Sequence, residues 1–203
     1  MVKYVLYILF GLLTQILFAQ PISQFRGPNR DGHYSETGLL KEWPEDGPEL
    51  VWMAEGLGDS YAAVSVYNGI VYATGKINDN DYLTALDSSG NQLWQVRFGD
   101  SWTKSFAATR STPTIQVNAV YVISGMGEAV CLNRENGEII WTRDVFREYD
   151  GKYESWGGAE SPLIVDDLVI STPGGSRTTM VALNKMTGKT VWTTASLNDT
   201  TAY

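Results

Sequence analysis

Three stretches of this chain repeat one another, and a repeat of this kind leaves few folds open. YLTALDSSGNQLW (82–94), EAVCLNRENGEIIW (128–141) and TMVALNKMTGKTVW (179–192) share one pattern: a small residue, Leu, Asp or Asn, a polar turn, Gly, three more residues, Trp. Gly90, Gly137 and Gly188 each stand four residues before Trp94, Trp141 and Trp192. The stretches upstream align as well: AAVSVYNGIVYATG (62–75), STPTIQVNAVYVISG (111–125) and ESPLIVDDLVISTPG (160–174). Val64, Pro113 and Pro162 fall in one column, 49 residues apart. PELVW (48–52) ends in a further tryptophan, Trp52, without the turn before it.

Each repeat holds four strand-like runs. In the second they are 112–117, 120–124, 128–132 and 138–142, with a turn at Asn118 and another at Asn136–Gly137. The Asn-Gly pair suits the positive φ angles of a tight hairpin. Short runs separated by turns predict antiparallel meanders, and no helical periodicity follows residue 19. The composition agrees, since 20 Gly with 7 Trp and 11 Tyr fits many turns between aromatic-rich strands. A four-stranded unit recurring every ~45 residues is the spacing of β-propeller blades; a β-sandwich with the same tryptophan spacing is the competing fold. Blades are expected over about 61–96, 110–143 and 159–194. A tryptophan ending an outer strand can pack between neighbouring blades, with the glycine permitting the turn that aims it. Gly90, Trp94, Gly137, Trp141, Gly188, Trp192 and Trp52 are therefore the expected docking residues.

The A-L-(D/N)-x-x-(T)-G-x-x-x-W pattern resembles the tryptophan-docking repeat of pyrroloquinoline quinone (PQQ) propellers. The likeness runs over residues 49–203, and the lead-in FRGPNRDGHYSETGLLKEWPEDGPELVW (25–52) is similar to the start of exported bacterial PQQ-like propellers, some named polyvinyl-alcohol dehydrogenase. The resemblance implies an all-β propeller of about eight four-stranded antiparallel blades, closed by an N-terminal strand, which here would be Glu49–Ala54. This chain carries three full repeats, so the expectation is a partial ring, the N-terminal part of a longer protein. Closure by self-association is the alternative.

Residues 4–18 (YVLYILFGLLTQILF) are nearly all apolar, with Lys3 before them and Ala19 after. That is the layout of a signal peptide over 1–19, cleaved near Ala19–Gln20, and the run is short of the ~20 residues needed to span a bilayer. The expected organisation is this signal, a lead-in over 20–48 and the partial propeller over 49–203. The mature protein is expected in a periplasm or outside the cell, with no transmembrane span. A formal net charge of -8 argues against nucleic acid and anionic lipid as partners.

Inner strands of a propeller start near its axis, so the residues opening them are the candidate site. They are Arg110 in TRSTP (109–113), Glu160 in GGAESP (157–162) and Tyr61, joined by Trp156 from the long 142–158 connection. Arg110 can take a carboxylate or phosphate, Glu160 a cation or hydroxyl, and the two aromatics can stack on a planar ligand. The resemblance implies PQQ with calcium, yet the Cys-Cys pair of many PQQ enzymes is missing. The lone Cys131 shares a column with Ala85 and Ala182 and reads as a small buried residue. The Asp79-Asn80-Asp81 run reads as a solvated strand connection. One histidine, His33, forms no multi-histidine metal site. Catalytic residues remain unassigned, and no metal ligands are expected from these blades. The two functions in view are a binding or assembly scaffold, with a protein, small-molecule or polymer ligand at the propeller face, and a PQQ-dependent alcohol or polyvinyl-alcohol dehydrogenase.

Overall fold

The computed structural model describes residues 22–201; the expected signal peptide lies outside them. Three antiparallel meanders follow one another along the chain. The first blade is β2 (Ser65–Tyr67), β3 (Ile70–Ile77), β4 (Asn80–Leu86) and β5 (Gln92–Asp100). The second is β6 (Thr114–Gln116), β7 (Ala119–Ile123), β8 (Glu128–Asn133) and β9 (Ile139–Asp144). The third is β10 (Leu163–Val165), β11 (Leu168–Ser171), β12 (Val181–Asn184) and β13 (Thr190–Thr193). A two-residue strand of the lead-in, β1 (Ile22–Ser23), adds to the inner edge of the second blade, pairing Ile22 with Gln116. Among the described residues the fold is all-β apart from one helical turn, α1 (Val145–Glu148). Four residues, capped where Asp144 accepts from the Arg147 N–H, are too few to carry a period.

The core lies between blades rather than within them. Along β7, Val120 and Val122 face the first blade, where they meet Tyr72, Leu83 and Phe98, while Tyr121 and Ile123 face the third, meeting Ile164, Val169 and Leu183. Successive side chains of a strand point to opposite faces. A middle blade buried on both faces therefore reads as an unbroken apolar run such as AVYVI.

The repeated motif has a local cause. Trp94, Trp141 and Trp192 stand directly opposite Ala85, Cys131 and Ala182. Residues paired across two strands share a face, so a small partner leaves room for the indole. The ladder slips by one residue immediately after each pair, at Ala85/Leu86, Cys131/Leu132 and Ala182/Leu183, a bulge that bends the outer strand. Asp87, Asn133 and Asn184 each open the next turn, accepting backbone N–H groups on a side-chain oxygen (from Ser89 at 2.8 Å, Glu135 at 2.8 Å and Met186 at 3.1 Å). In the second blade the Gly137 N–H closes the turn on the Asn133 carbonyl at 2.9 Å. Here the expected tight Asn136–Gly137 hairpin is corrected. Only Gly137 has a positive φ, 74°, and the loop spans the residues between Asn133 and Ile139. The tight Asn-Gly turn occurs instead at Asn68–Gly69, φ 50° and 76°, between β2 and β3.

The indoles of Trp52, Trp94 and Trp141 each pack against the glycine of the following repeat. A methyl group on Gly137 would come within 2.8 Å of Trp94, and one on Gly188 within 2.8 Å of Trp141. Trp52 occupies the same place over Gly90 at 2.7 Å, although residues 49–54 form no ladder with any described strand. Trp141 also donates its indole N–H to the Lys185 carbonyl at 3.0 Å. Trp192 has no such glycine over it among the described residues and is 37% exposed, against 9% for Trp141.

The inner strands are joined by hydrogen bonds that also repeat. The Ser65 hydroxyl donates to the Pro113 carbonyl at 2.6 Å and the Thr114 hydroxyl to the Pro162 carbonyl at 2.7 Å. The Ala63 N–H donates to Thr112 at 3.2 Å and the Thr112 N–H to Ser161 at 2.9 Å. These bonds hold neighbouring blades at a fixed angle.

Two outcomes follow. A buried Trp removes ~150–250 Å² from water, so Trp141→Ala is expected to cost about 3–5 kcal/mol, and Trp192→Ala below about 1 kcal/mol. Equal losses in urea unfolding would contradict the glycine stacking as the source of stability. The turn from β6 to β7 holds Val117 at φ 56°, where the matching positions carry Asn68 (50°) and Asp166 (51°). A β-branched residue pays steric strain in that region. Val117→Asn is expected to raise stability by about 1 kcal/mol, and a lower melting temperature would refute the strain.

Candidate functional site at the inner-strand openings

The loops that open the inner strands enclose a cavity of about 490 Å³ lined by Phe25, Tyr61, Arg110, Thr112, Glu160 and Thr172, with Ala62, Ala63, Ala159 and Ser161 between them. The repeat explains who meets whom. Tyr61, Arg110 and Ala159 hold one column of the three repeats, and Ala62, Ser111 and Glu160 the next. Equivalent positions of neighbouring blades converge on the inner face, so residues 49 apart in sequence become neighbours.

Arg110 is held rather than paired. Its guanidinium donates to the Phe106 carbonyl at 2.6 Å and the Ala108 carbonyl at 3.1 Å, and its Cζ lies 5.2 Å from the centre of the Tyr61 ring. No carboxylate of the described residues lies within ion-pairing distance of it. A guanidinium has five N–H donors, so the carbonyls fix its plane and leave donors for a ligand. Glu160 is in the opposite situation. Its carboxylate accepts from the Ser171 hydroxyl at 2.9 Å, the Thr172 N–H at 2.8 Å and the Thr172 hydroxyl at 3.0 Å. Burial nevertheless outweighs these bonds and holds its carboxyl above the ordinary glutamate range.

Of the four candidate residues, Tyr61, Arg110 and Glu160 therefore surround one cavity. Trp156 is not among its lining residues; its ring stands 4.8 Å from that of Phe106. Phe25, Thr112 and Thr172 were not singled out in the sequence. Thr112 and Ser161 share a column beside the two prolines, a signal available in the repeat. Phe25 had none, because its place depends on where the lead-in crosses the inner face. Cys131 is buried, its thiol pushed up to about 12 by desolvation, so it is no nucleophile.

A family profile described as outer membrane protein assembly factor BamB, of the PQQ-repeat type, matches residues 34–156 and again 79–202. The chain belongs to this PQQ-repeat family. No curated protein matches the chain. Solved structures of similar fold include the quinohemoprotein alcohol dehydrogenase from Comamonas testosteroni, with 20% identity over 71% of this chain and 22% of that one, TM-score 0.56. A europium-containing methanol dehydrogenase aligns with 15% identity over 71% and 26%, TM-score 0.52. BamB from Moraxella catarrhalis aligns with 24% identity over 63% and 33%, TM-score 0.43. The chain thus spans 22–33% of the length of these proteins. At such identities the likeness to the two dehydrogenases speaks for the fold alone, three blades of a propeller.

PQQ-repeat folds raise the question of a quinone with a metal ion. Calcium takes ~6–8 oxygen ligands. The cavity offers one carboxylate, Glu160, already engaged, and the hydroxyls of Tyr61, Thr112, Ser161 and Thr172. Among the described residues no group of three or more His, Cys, Asp and Glu is arranged to hold a metal. The donor set present suits an organic carboxylate at Arg110 better than a calcium shell.

A second titratable group sits in the seam between the first two blades. The Asp79-Asn80-Asp81 run, expected to be a solvated connection, is corrected: Asn80 and Asp81 belong to β4, and Asp81 is fully buried. Strand alternation turns Asp81 inward, where its Oδ2 accepts from the Gly125 N–H of the second blade at 2.7 Å. Its Oδ1 and the nearby Ser101 Oγ are buried without a hydrogen bond of regular geometry. Burial raises the Asp81 carboxyl to about 6; the Glu128 charge adds to this, and Ser101, the Gly125 N–H and Lys76 oppose it.

The folded chain therefore holds this proton more tightly than the unfolded chain. The stabilisation is fully present below the unfolded value near 3.8 and is lost as pH rises through about 6. At 1.36 kcal/mol per pKa unit the loss is about 3 kcal/mol. Asp81→Asn is expected to flatten stability between pH 4 and pH 7 by that amount relative to wild type. Parallel pH profiles of the two proteins in urea melts would remove Asp81 as the cause.

Proposed function

We propose that this chain is part of an exported propeller acting as a binding or assembly scaffold, with its ligand received at the inner-face cavity. The observation that carries this reading is the contrast between the two charges there. Arg110 is fixed by carbonyls with donors to spare, whereas the oxygens of Glu160 are committed to Ser171 and Thr172. Such a cavity is built to recognise an anionic group, since its one carboxylate is already engaged by Ser171 and Thr172. The family description as an assembly factor supports the same reading. Export is supported by the apolar run over residues 4–18 behind Lys3.

A second reading, a PQQ-dependent alcohol or polyvinyl-alcohol dehydrogenase, draws on the Arg110–Tyr61 stack, which suits a planar ring bearing carboxylates. When bound, the quinone would supply the oxidising chemistry. This chain would contribute Arg110 to hold a carboxylate and Tyr61 to cover a ring face.

The two separate in one assay. Full-length protein is incubated with PQQ and calcium, and reduction of an artificial dye is followed with primary alcohols and polyvinyl alcohol. The scaffold reading expects no alcohol-dependent reduction. Sustained turnover that requires PQQ would overturn it in favour of the dehydrogenase.

A further inference from the structure

The lead-in crosses the inner face and brings two arginines with it. Pairing of β1 with β6 anchors it, and Phe25 enters the Arg110 cavity. A second cavity of about 270 Å³ adjoins the first, sharing Phe25 and Ser161, and is lined by Gln24, Arg26, Arg30, Pro162 and Leu163. Of the eight arginines of the chain, Arg97, Arg143, Arg147 and Arg177 pair with carboxylates. Three of the other four, Arg26, Arg30 and Arg110, line these adjoining cavities. Against the single carboxylate there, Glu160, these three arginines give a local excess of positive charge in a chain of net charge -8.

The backbone sets which substitutions these two positions accept. Arg26 and Arg30 both hold positive φ angles, 63° and 59°, where glycine or asparagine would sit with less strain. The loop is closed around them by bonds from the Arg30 N–H to the Gly27 carbonyl at 3.1 Å and from the Gly32 N–H to the Arg26 carbonyl at 3.0 Å.

Resting on the binding role given above, we propose that Arg26 and Arg30 join Arg110 in one recognition surface for a ligand bearing two or more carboxylates. Such a ligand is either a small polycarboxylate or the side chains of an acidic peptide. The Arg110 cavity receives one carboxylate beside Tyr61, and the lead-in arginines receive the next across Phe25. Spaced guanidiniums favour a multiply charged ligand over a single carboxylate, and the attraction weakens with added salt.

The test uses the full chain and calorimetric titration with two probes, citrate and a peptide of repeated glutamates. Arg26→Asn and Arg30→Asn keep the left-handed backbone and remove the charge. Each is expected to weaken binding by about three- to tenfold with the melting temperature unchanged or raised, and Arg147→Asn, which breaks a pair elsewhere, to leave binding alone. Tighter binding of citrate assigns the small ligand, and tighter binding of the peptide assigns the acidic segment. Binding that Arg110→Ala removes and both lead-in variants leave intact overturns the role of the lead-in, with the Arg110 site standing. Failure of both probes to bind overturns the inference, while the alcohol assay separately decides the scaffold reading.

Discussion

A blade of this protein is apolar on both faces, and that constraint governs the rest of the structure. Tyr121, Ile123, Ala129 and Cys131 face one way from the second blade, and Val120, Val122, Val130 and Leu132 the other. An isolated meander would leave both of these faces wet. Stability therefore resides in the seams, where apolar burial is the main favourable term. The indole over the glycine of the next repeat is the device that sets the seam, because glycine alone lets an aromatic face approach the backbone so closely.

The two seams are built alike but are not equivalent. Tyr72 and Tyr121 occupy one column, each tilted against the tryptophan of its own blade, at 6.0 Å from Trp94 and 6.2 Å from Trp141. In the second seam the Lys185 carbonyl receives both the Trp141 N–H and the Tyr121 hydroxyl. In the first, the Tyr72 hydroxyl reaches the Arg134 carbonyl at 3.4 Å, and the buried Trp94 N–H has no partner among the described residues. The first seam also buries Asp81. Unsatisfied polar atoms cost stability where water cannot reach them, so the first seam is the softer of the two and the one that senses pH.

The inner face depends on the same repetition. Blades held by Ser65–Pro113 and Thr114–Pro162 bonds present equivalent columns toward one another, and function has room only where the columns differ. Tyr61, Arg110 and Ala159 form such a varied column, and they line the cavity. Where packing needs uniformity, in Gly90, Gly137 and Gly188, the column does not vary.

Much of this was legible in the sequence for a stated reason. A blade is made of local hairpins, so its strands, its Asx turns and its tryptophan register follow from neighbouring residues, and the period announces that blades stack. The columns also pointed to Tyr61, Arg110 and Glu160, since equivalent positions converge. Contacts between distant segments were not legible. No period marks Ile22–Ser23 as a partner of Thr114–Gln116, places Phe25 beside Arg110 or sets Trp156 against Phe106. Asp81 looked like a turn residue because its neighbours are polar, and only the ladder with β5 and the approach of Gly125 made it a buried acid. The sequence by itself determined the repeating blade, since hairpin geometry is local; the tertiary structure decided which charges are buried, paired or left facing the cavity, since desolvation depends on what other segments bring alongside.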